Sequence, residues 1–68
     1  MENRINKLKG YRVMIGKTQE ELANYIGVSR ETYINKESGR TKLSASEAVR
    51  LVEYFKSYGL GITVDELI

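Results

Sequence analysis

The chain has 68 residues, a net charge of +2, and no proline, cysteine, tryptophan or histidine. Without cysteine there are no disulfide staples or thiolate metal sites, and without histidine the commonest general base and metal ligand are missing. No apolar run approaches membrane-spanning length and no signal peptide is visible, so one soluble, cytoplasmic domain over residues 1–68, without cofactor or metal, is expected.

Five helices and no strand are expected, an all-α domain. The first spans roughly Asn3 to Met14, with Ile5, Leu8, Tyr11 and Ile15 on an apolar side and Gly16 as its stop. The second opens with the capping box Thr18-Gln19-Glu20-Glu21. In such a box the hydroxyl accepts from the backbone N–H three residues on, and the glutamate reaches back. Leu22, Ala23 and Ile26 line one face of this helix, and Gly27 sits where a left-handed residue ends it. The third helix runs from Arg30 to Ser38, capped by Ser29 and closed by Gly39, with Val28 and Tyr33 at staple spacing. The loop Arg40-Thr41-Lys42-Leu43 leads to a second capping box, Ser44-Ala45-Ser46-Glu47. Ala48, Leu51, Val52 and Phe55 then form an amphipathic stripe on the fourth helix, which Tyr58-Gly59-Leu60-Gly61 breaks. A fifth helix opens with a third box, Thr63-Val64-Asp65-Glu66, between staple residues Ile62 and Leu67.

Two short capped helices joined at Gly27 follow the helix-turn-helix plan, in which the second helix enters the DNA major groove. Charge distribution agrees with such a role. Residues 1–17 carry five basic groups and one acid, and residues 30–42 carry four basic and two acidic groups. Residues 18–29 and 43–68 each have a net charge of −2. Positive charge thus gathers on the first helix and on the third with its following loop, a footprint suited to phosphate. An ordinary solvated surface would carry similar charge.

The order of Leu8, Arg12, Gly16, Thr18, Gln19, Leu22, Ala23, Gly27, Val28, Ser29, Tyr33, Glu37, Gly39 and Ala48, ending in Asp65-Glu66-Leu67, covers nearly the whole chain. It resembles the phage lambda repressor/Cro-type helix-turn-helix family, also called the XRE family. Tyr33, Asn35, Lys36 and Glu37 look like a variant found in phage-type repressors. The resemblance implies a compact five-helix DNA-binding domain and a non-enzymatic transcriptional regulator that occupies a double-stranded DNA operator. It implies that Gln19 braces against both the DNA backbone and the recognition helix. It also implies that Arg12 and Glu37 form an ion pair joining the first helix to the end of the third.

With Tyr33 turned to the core, residues 30, 31, 34 and 35 share the face toward DNA. Arg30 can bind guanine through O6 and N7, Asn35 adenine through N6 and N7, and Glu31 the N4 amine of cytosine, while Ile34 can touch a thymine methyl. Thr32, Lys36, Arg40, Thr41 and Lys42 are placed for phosphates. A competing reading is a protein-interaction module of the same fold, antirepressor or antitoxin-like, with weak or no DNA binding. Glu31 and Ile34 lean toward it, whereas Arg30, Asn35, Arg40 and Lys42 lean toward DNA. An enzyme is not expected, since no nucleophile–base pair or ligand cluster appears in the sequence.

Two departures from the family stand out. Lys17 and Lys36 occupy positions that are apolar in many relatives, and about five extra residues lie near Lys56 to Leu60, where they could lengthen the fourth helix. Tyr25, Tyr54 and Tyr58 have no assigned role. A homodimer on an inverted-repeat operator is expected, formed in solution or only on DNA. Its expected surface is the C-terminal part, because Leu60, Ile62, Leu67 and Ile68 look like more apolar surface than a monomer needs.

Overall fold

The computed structural model describes residues 7–67, in which four α-helices are followed by one 3-10 turn. They are α1 (Leu8–Met14), α2 (Gln19–Ile26), α3 (Arg30–Ser38) and α4 (Ala45–Lys56), with the turn at Val64–Glu66. Asn3 and Ile5, at the expected start of the first helix, and Ile68 lie outside the described residues. None of the described helices is long and apolar enough to cross a membrane.

Local chemistry sets the helix ends. Thr18 Oγ1 accepts from the Glu21 N–H at 3.1 Å, and the Thr18 N–H donates to Glu21 Oε1 at 2.8 Å. Ser44 and Glu47 repeat the arrangement at 3.1 and 2.9 Å. Each box satisfies two N–H groups that a bare helix start would leave without acceptors.

The fifth expected helix is a single 3-10 turn. Glu66 N–H bonds to the Thr63 carbonyl at 3.1 Å and Leu67 N–H to the Val64 carbonyl at 2.9 Å, both three residues back. Ile62 and Leu67, on either side, are both buried. Drawing both ends of so short a piece into one core selects the tighter winding, and the capping signal does not fix helix length. Nor do the residues after Lys56 extend α4. The N–H groups of Tyr58 and Leu60 both return to the Phe55 carbonyl, and Gly59 turns the chain at φ +90°.

The core draws on all four α-helices. Leu8 comes from α1, Leu22, Ala23 and Ile26 from α2, Tyr33 from α3, and Ala48, Leu51, Val52 and Phe55 from α4. Leu43, Ile62 and Leu67 close it. Burying a side chain such as Phe55 or Leu22 stabilises by about 1.5–3 kcal/mol, which is how 68 residues hold a single packed arrangement. The two ends of the described chain are also tied together, because the Tyr11 hydroxyl donates to Glu66 Oε1 at 3.3 Å.

Candidate nucleic-acid interface

α2 and α3 are separated by Gly27, Val28 and Ser29 alone. Gly27 lies in the left-handed region at φ +79°, where its N–H bonds to the Asn24 carbonyl and the Val28 N–H reaches the Ala23 carbonyl. A Cβ at Gly27 would meet nothing within 4 Å, so backbone torsion, not space, selects glycine there. Ser29 Oγ then accepts from the Thr32 N–H at 3.1 Å and starts α3 at once. The angle between the two helices is therefore fixed by caps on both sides of a three-residue turn.

Glu37 locks this pair to α1. Arg12 Nε donates to Glu37 Oε2 at 2.7 Å and Arg12 Nη2 to Glu37 Oε1 at 3.2 Å. Gln19 Nε2 donates to Oε1 at 2.8 Å and the Tyr33 hydroxyl to Oε2 at 2.9 Å. Arg12 Nη1 also donates to the Lys17 carbonyl at 2.8 Å, closing the α1–α2 turn. The Arg12 and Glu37 side chains are only 11% and 4% exposed, so water screens the pair little. Burial alone would push the Glu37 carboxyl up, but donation from Arg12, Gln19 and Tyr33 together holds it below the usual range. Burial, and then the Glu37 charge, push the Tyr33 phenol up, so it stays a donor.

Tyr33 is fully buried, and α3 turns by about 100° per residue, which points Glu31 and Asn35 away from the core and Ile34 sideways. Arg30 and Glu31 are exposed, and Ile34 and Asn35 half-buried. The side chains of Arg30, Glu31 and Asn35 have no hydrogen bond or ion pair among the described residues. Arg30 also joins Arg12, Lys17, Thr18, Gln19 and the acidic Glu20 around a shallow recess at the start of α2. The backbone N–H groups of Gln19 and Glu20 find no acceptor among the described residues, so this helix start offers donors and partial positive charge to an anion.

The loop after α3 is anchored at its start, where the Arg40 and Thr41 N–H groups both bond to the Asn35 carbonyl at 2.9 and 3.2 Å. It is anchored near its end by buried Leu43. Arg40, Thr41 and Lys42 project outward, exposed. Lys36, expected at a phosphate, is engaged within the domain in this DNA-free structure. Its ammonium lies 3.1 Å from Glu47 Oε1 and donates to the Lys42 carbonyl at 3.2 Å.

Several contacts have no counterpart in the sequence reading. Arg50 Nη2 on α4 donates to the Tyr25 carbonyl at 2.7 Å, near the end of α2, and its guanidinium lies 5.2 Å from the Tyr25 ring centre. Tyr25, Tyr54 and Tyr58 form a row, with ring centres 4.4 and 5.2 Å apart. Lys17 Nζ lies 5.3 Å over Tyr58. The spacing of Tyr54 and Tyr58, four apart on or next to one helix, was a readable signal. Their meeting with Tyr25 and Lys17 was not, since it requires α2 and α4 to be docked. The expected dimer surface also needs correction. Ile62 and Leu67 are 7% and 1% exposed and Leu60 packs on the core, because these groups complete the domain's own interior. Ile68 lies outside the described residues. Among the described residues, the exposed large apolar side chains are instead Val13, Met14, Val49 and Tyr58.

Comparison with known proteins agrees with this geometry. A helix-turn-helix family model matches residues 8–67. An uncharacterized HTH-type transcriptional regulator of Methanocaldococcus jannaschii is 37% identical over 62 residues, which are 91% of this chain and 86% of that protein. No solved structure matches the chain. With α2 and α3 in the helix-turn-helix arrangement and the match running through all four helices, the chain belongs to the XRE-type helix-turn-helix family.

Proposed function

We propose that this protein is a non-enzymatic, sequence-specific transcriptional regulator that binds double-stranded DNA with α3 in the major groove and acts by occupying an operator. The observation that carries this reading is the division of labour along α3. Tyr33 and Glu37 tie the helix to the domain, while Arg30, Glu31 and Asn35 project from it with no partner among the described residues. A rigidly held helix with unsatisfied donors and acceptors on its outer edge is what base reading requires.

In this reading Arg30 takes guanine, Asn35 adenine and Glu31 the amine of cytosine, with Ile34 against a thymine methyl. The start of α2, where Gln19 is held by Glu37, receives a phosphate, and Thr32, Arg40, Thr41 and Lys42 hold the backbone on either side. One α3 spans only a few base pairs, so the operator is an inverted repeat bound by a homodimer acting in the cytoplasm. An interaction module with the same fold would have no use for Arg30, Asn35, Arg40 and Lys42 held outward together.

Selection from a random duplex pool, followed by salt titration on the selected site, tests the proposal. A recovered motif with affinity that falls steeply as salt rises is expected. Recovery of no duplex at low salt would remove the DNA-binding reading.

A further inference from the structure

We infer that Lys36 is a positioning residue, which together with Glu47 sets the loop carrying Arg40, Thr41 and Lys42 and makes no phosphate contact of its own. The inference rests on the DNA-binding reading for its consequence, but the geometry stands apart from it. The Lys36 ammonium bridges two elements at once: it lies 3.1 Å from Glu47 Oε1 and donates to the Lys42 carbonyl at 3.2 Å. Glu47 Oε1 in turn accepts from the Ser44 N–H at 2.9 Å, so one carboxylate oxygen serves both the cap of α4 and the end of α3. The far side of the loop is pinned separately, by the Asn35 carbonyl accepting from Arg40 and Thr41.

The side chains of Lys36 and Glu47 are 13% and 18% exposed. Moving this ammonium to a phosphate would break both contacts and leave Glu47 with less than its full complement of donors in a poorly hydrated place. Holding the Lys42 carbonyl inward also settles where the loop backbone runs, and therefore where the exposed Lys42 side chain starts. A preorganised loop loses less conformational freedom on binding, so the pair raises affinity without touching the ligand.

Four variants decide the matter: Lys36→Met, Glu47→Gln, the double variant and Lys36→Arg. Glutamine keeps an oxygen for the Ser44 N–H, so the α4 cap survives. Removing a negative charge near DNA should tighten binding if long-range electrostatics dominate. The positioning role gives the opposite sign: Glu47→Gln weakens operator binding about threefold or more. Lys36→Met should cost a similar factor alone and little more in the Glu47→Gln background, as expected for two residues acting as one unit. Lys36→Arg, which keeps a cation beside Glu47, should retain most of the unaltered protein's affinity. Trypsin cleavage after Arg40 and Lys42, mapped by mass spectrometry on the free protein, should speed up about threefold or more in the Met and Gln variants, because a loosened loop opens more often. The inference is overturned if Glu47→Gln tightens binding, if Lys36→Met has its full effect in the double variant, or if loop cleavage is unchanged. Should no duplex bind at all, the proposed function fails, while the cleavage rates still decide whether Lys36 and Glu47 hold the loop.

Discussion

Arg12 and Glu37 meet side by side, Nε to Oε2 at 2.7 Å and Nη2 to Oε1 at 3.2 Å, and this one pairing joins α1 to the last turn of α3. Gln19 and Tyr33 complete the acceptor capacity of the same carboxylate. Replacing Glu37 by glutamine would strand a guanidinium that is mostly out of water, and breaking such pairs is costly even where the intact pair contributes little. Glu37→Gln should therefore lower stability by roughly 2–4 kcal/mol. Urea unfolding measures it, and a loss below about 0.5 kcal/mol, the range of an ordinary surface change, would show the pair to be ornamental.

The same carboxylate sets an acid limit. Its folded-state pKa lies below the usual range, so it binds protons less readily folded than unfolded. Its contribution is complete above the unfolded carboxylate value of about 4.3 and disappears as pH falls through the lower folded value. Glu47 shifts in the same direction, since burial pushes it up but donation from the Ser44 N–H and from Lys36 outweighs it, and Glu21 does so chiefly through donation from the Thr18 N–H. Stability should thus decline on acidification below about pH 4, and Glu37→Gln should flatten that decline. Thermal unfolding across pH 2–7 in both proteins checks it, where pH 2–7 is roughly the span over which carboxylates titrate.

Arg30→Ala and Lys42→Ala should fail in different ways. In the proposed binding mode Arg30 reads a base, so its loss should cost about 1–3 kcal/mol on the operator and relax preference at one position. In the proposed binding mode Lys42 meets the DNA backbone, so its loss should weaken all sequences alike and reduce the salt slope by about one. If both variants keep the same sequence preference, α3 is oriented differently in the groove.

Gly27→Ala should destabilise by about 1–2 kcal/mol, because a Cβ strains the left-handed conformation at φ +79° although no neighbour would clash. For a domain of this size that is a fall in melting temperature of at least about 4 °C. An unchanged melting temperature would mean that the turn relaxes without cost.

A two-fold operator should bind two chains, with half-sites about 34–36 Å apart. Sedimentation of the protein with and without the selected duplex measures this. A one-to-one complex on a site without symmetry would overturn the dimer and leave the helix-turn-helix assignment standing.

Signals confined to neighbouring residues were legible in the sequence. Both α-helical capping boxes, the left-handed Gly27, the cap at Ser29 and the bounds of α2 and α3 follow from side chains reaching backbone groups within a few residues. The apolar stripe of α4 is likewise local, since helical period alone places Ala48, Leu51, Val52 and Phe55 on one side. Tertiary packing decided the rest. It turned the last expected helix into a 3-10 turn, because Ile62 and Leu67 are both drawn into the core. It consumed Ile62 and Leu67 in the domain's own interior and packed Leu60 against it. It also brought together Lys17 and Tyr58, far apart in the chain, so that a cation stands over a ring. Lys36 shows the reason most plainly. A lysine on α3 beside a basic loop reads as a phosphate contact, and only docking α4 brings Glu47 to within 3.1 Å of it, since charge pairing depends on distance in space and sequence fixes distance only along one helix.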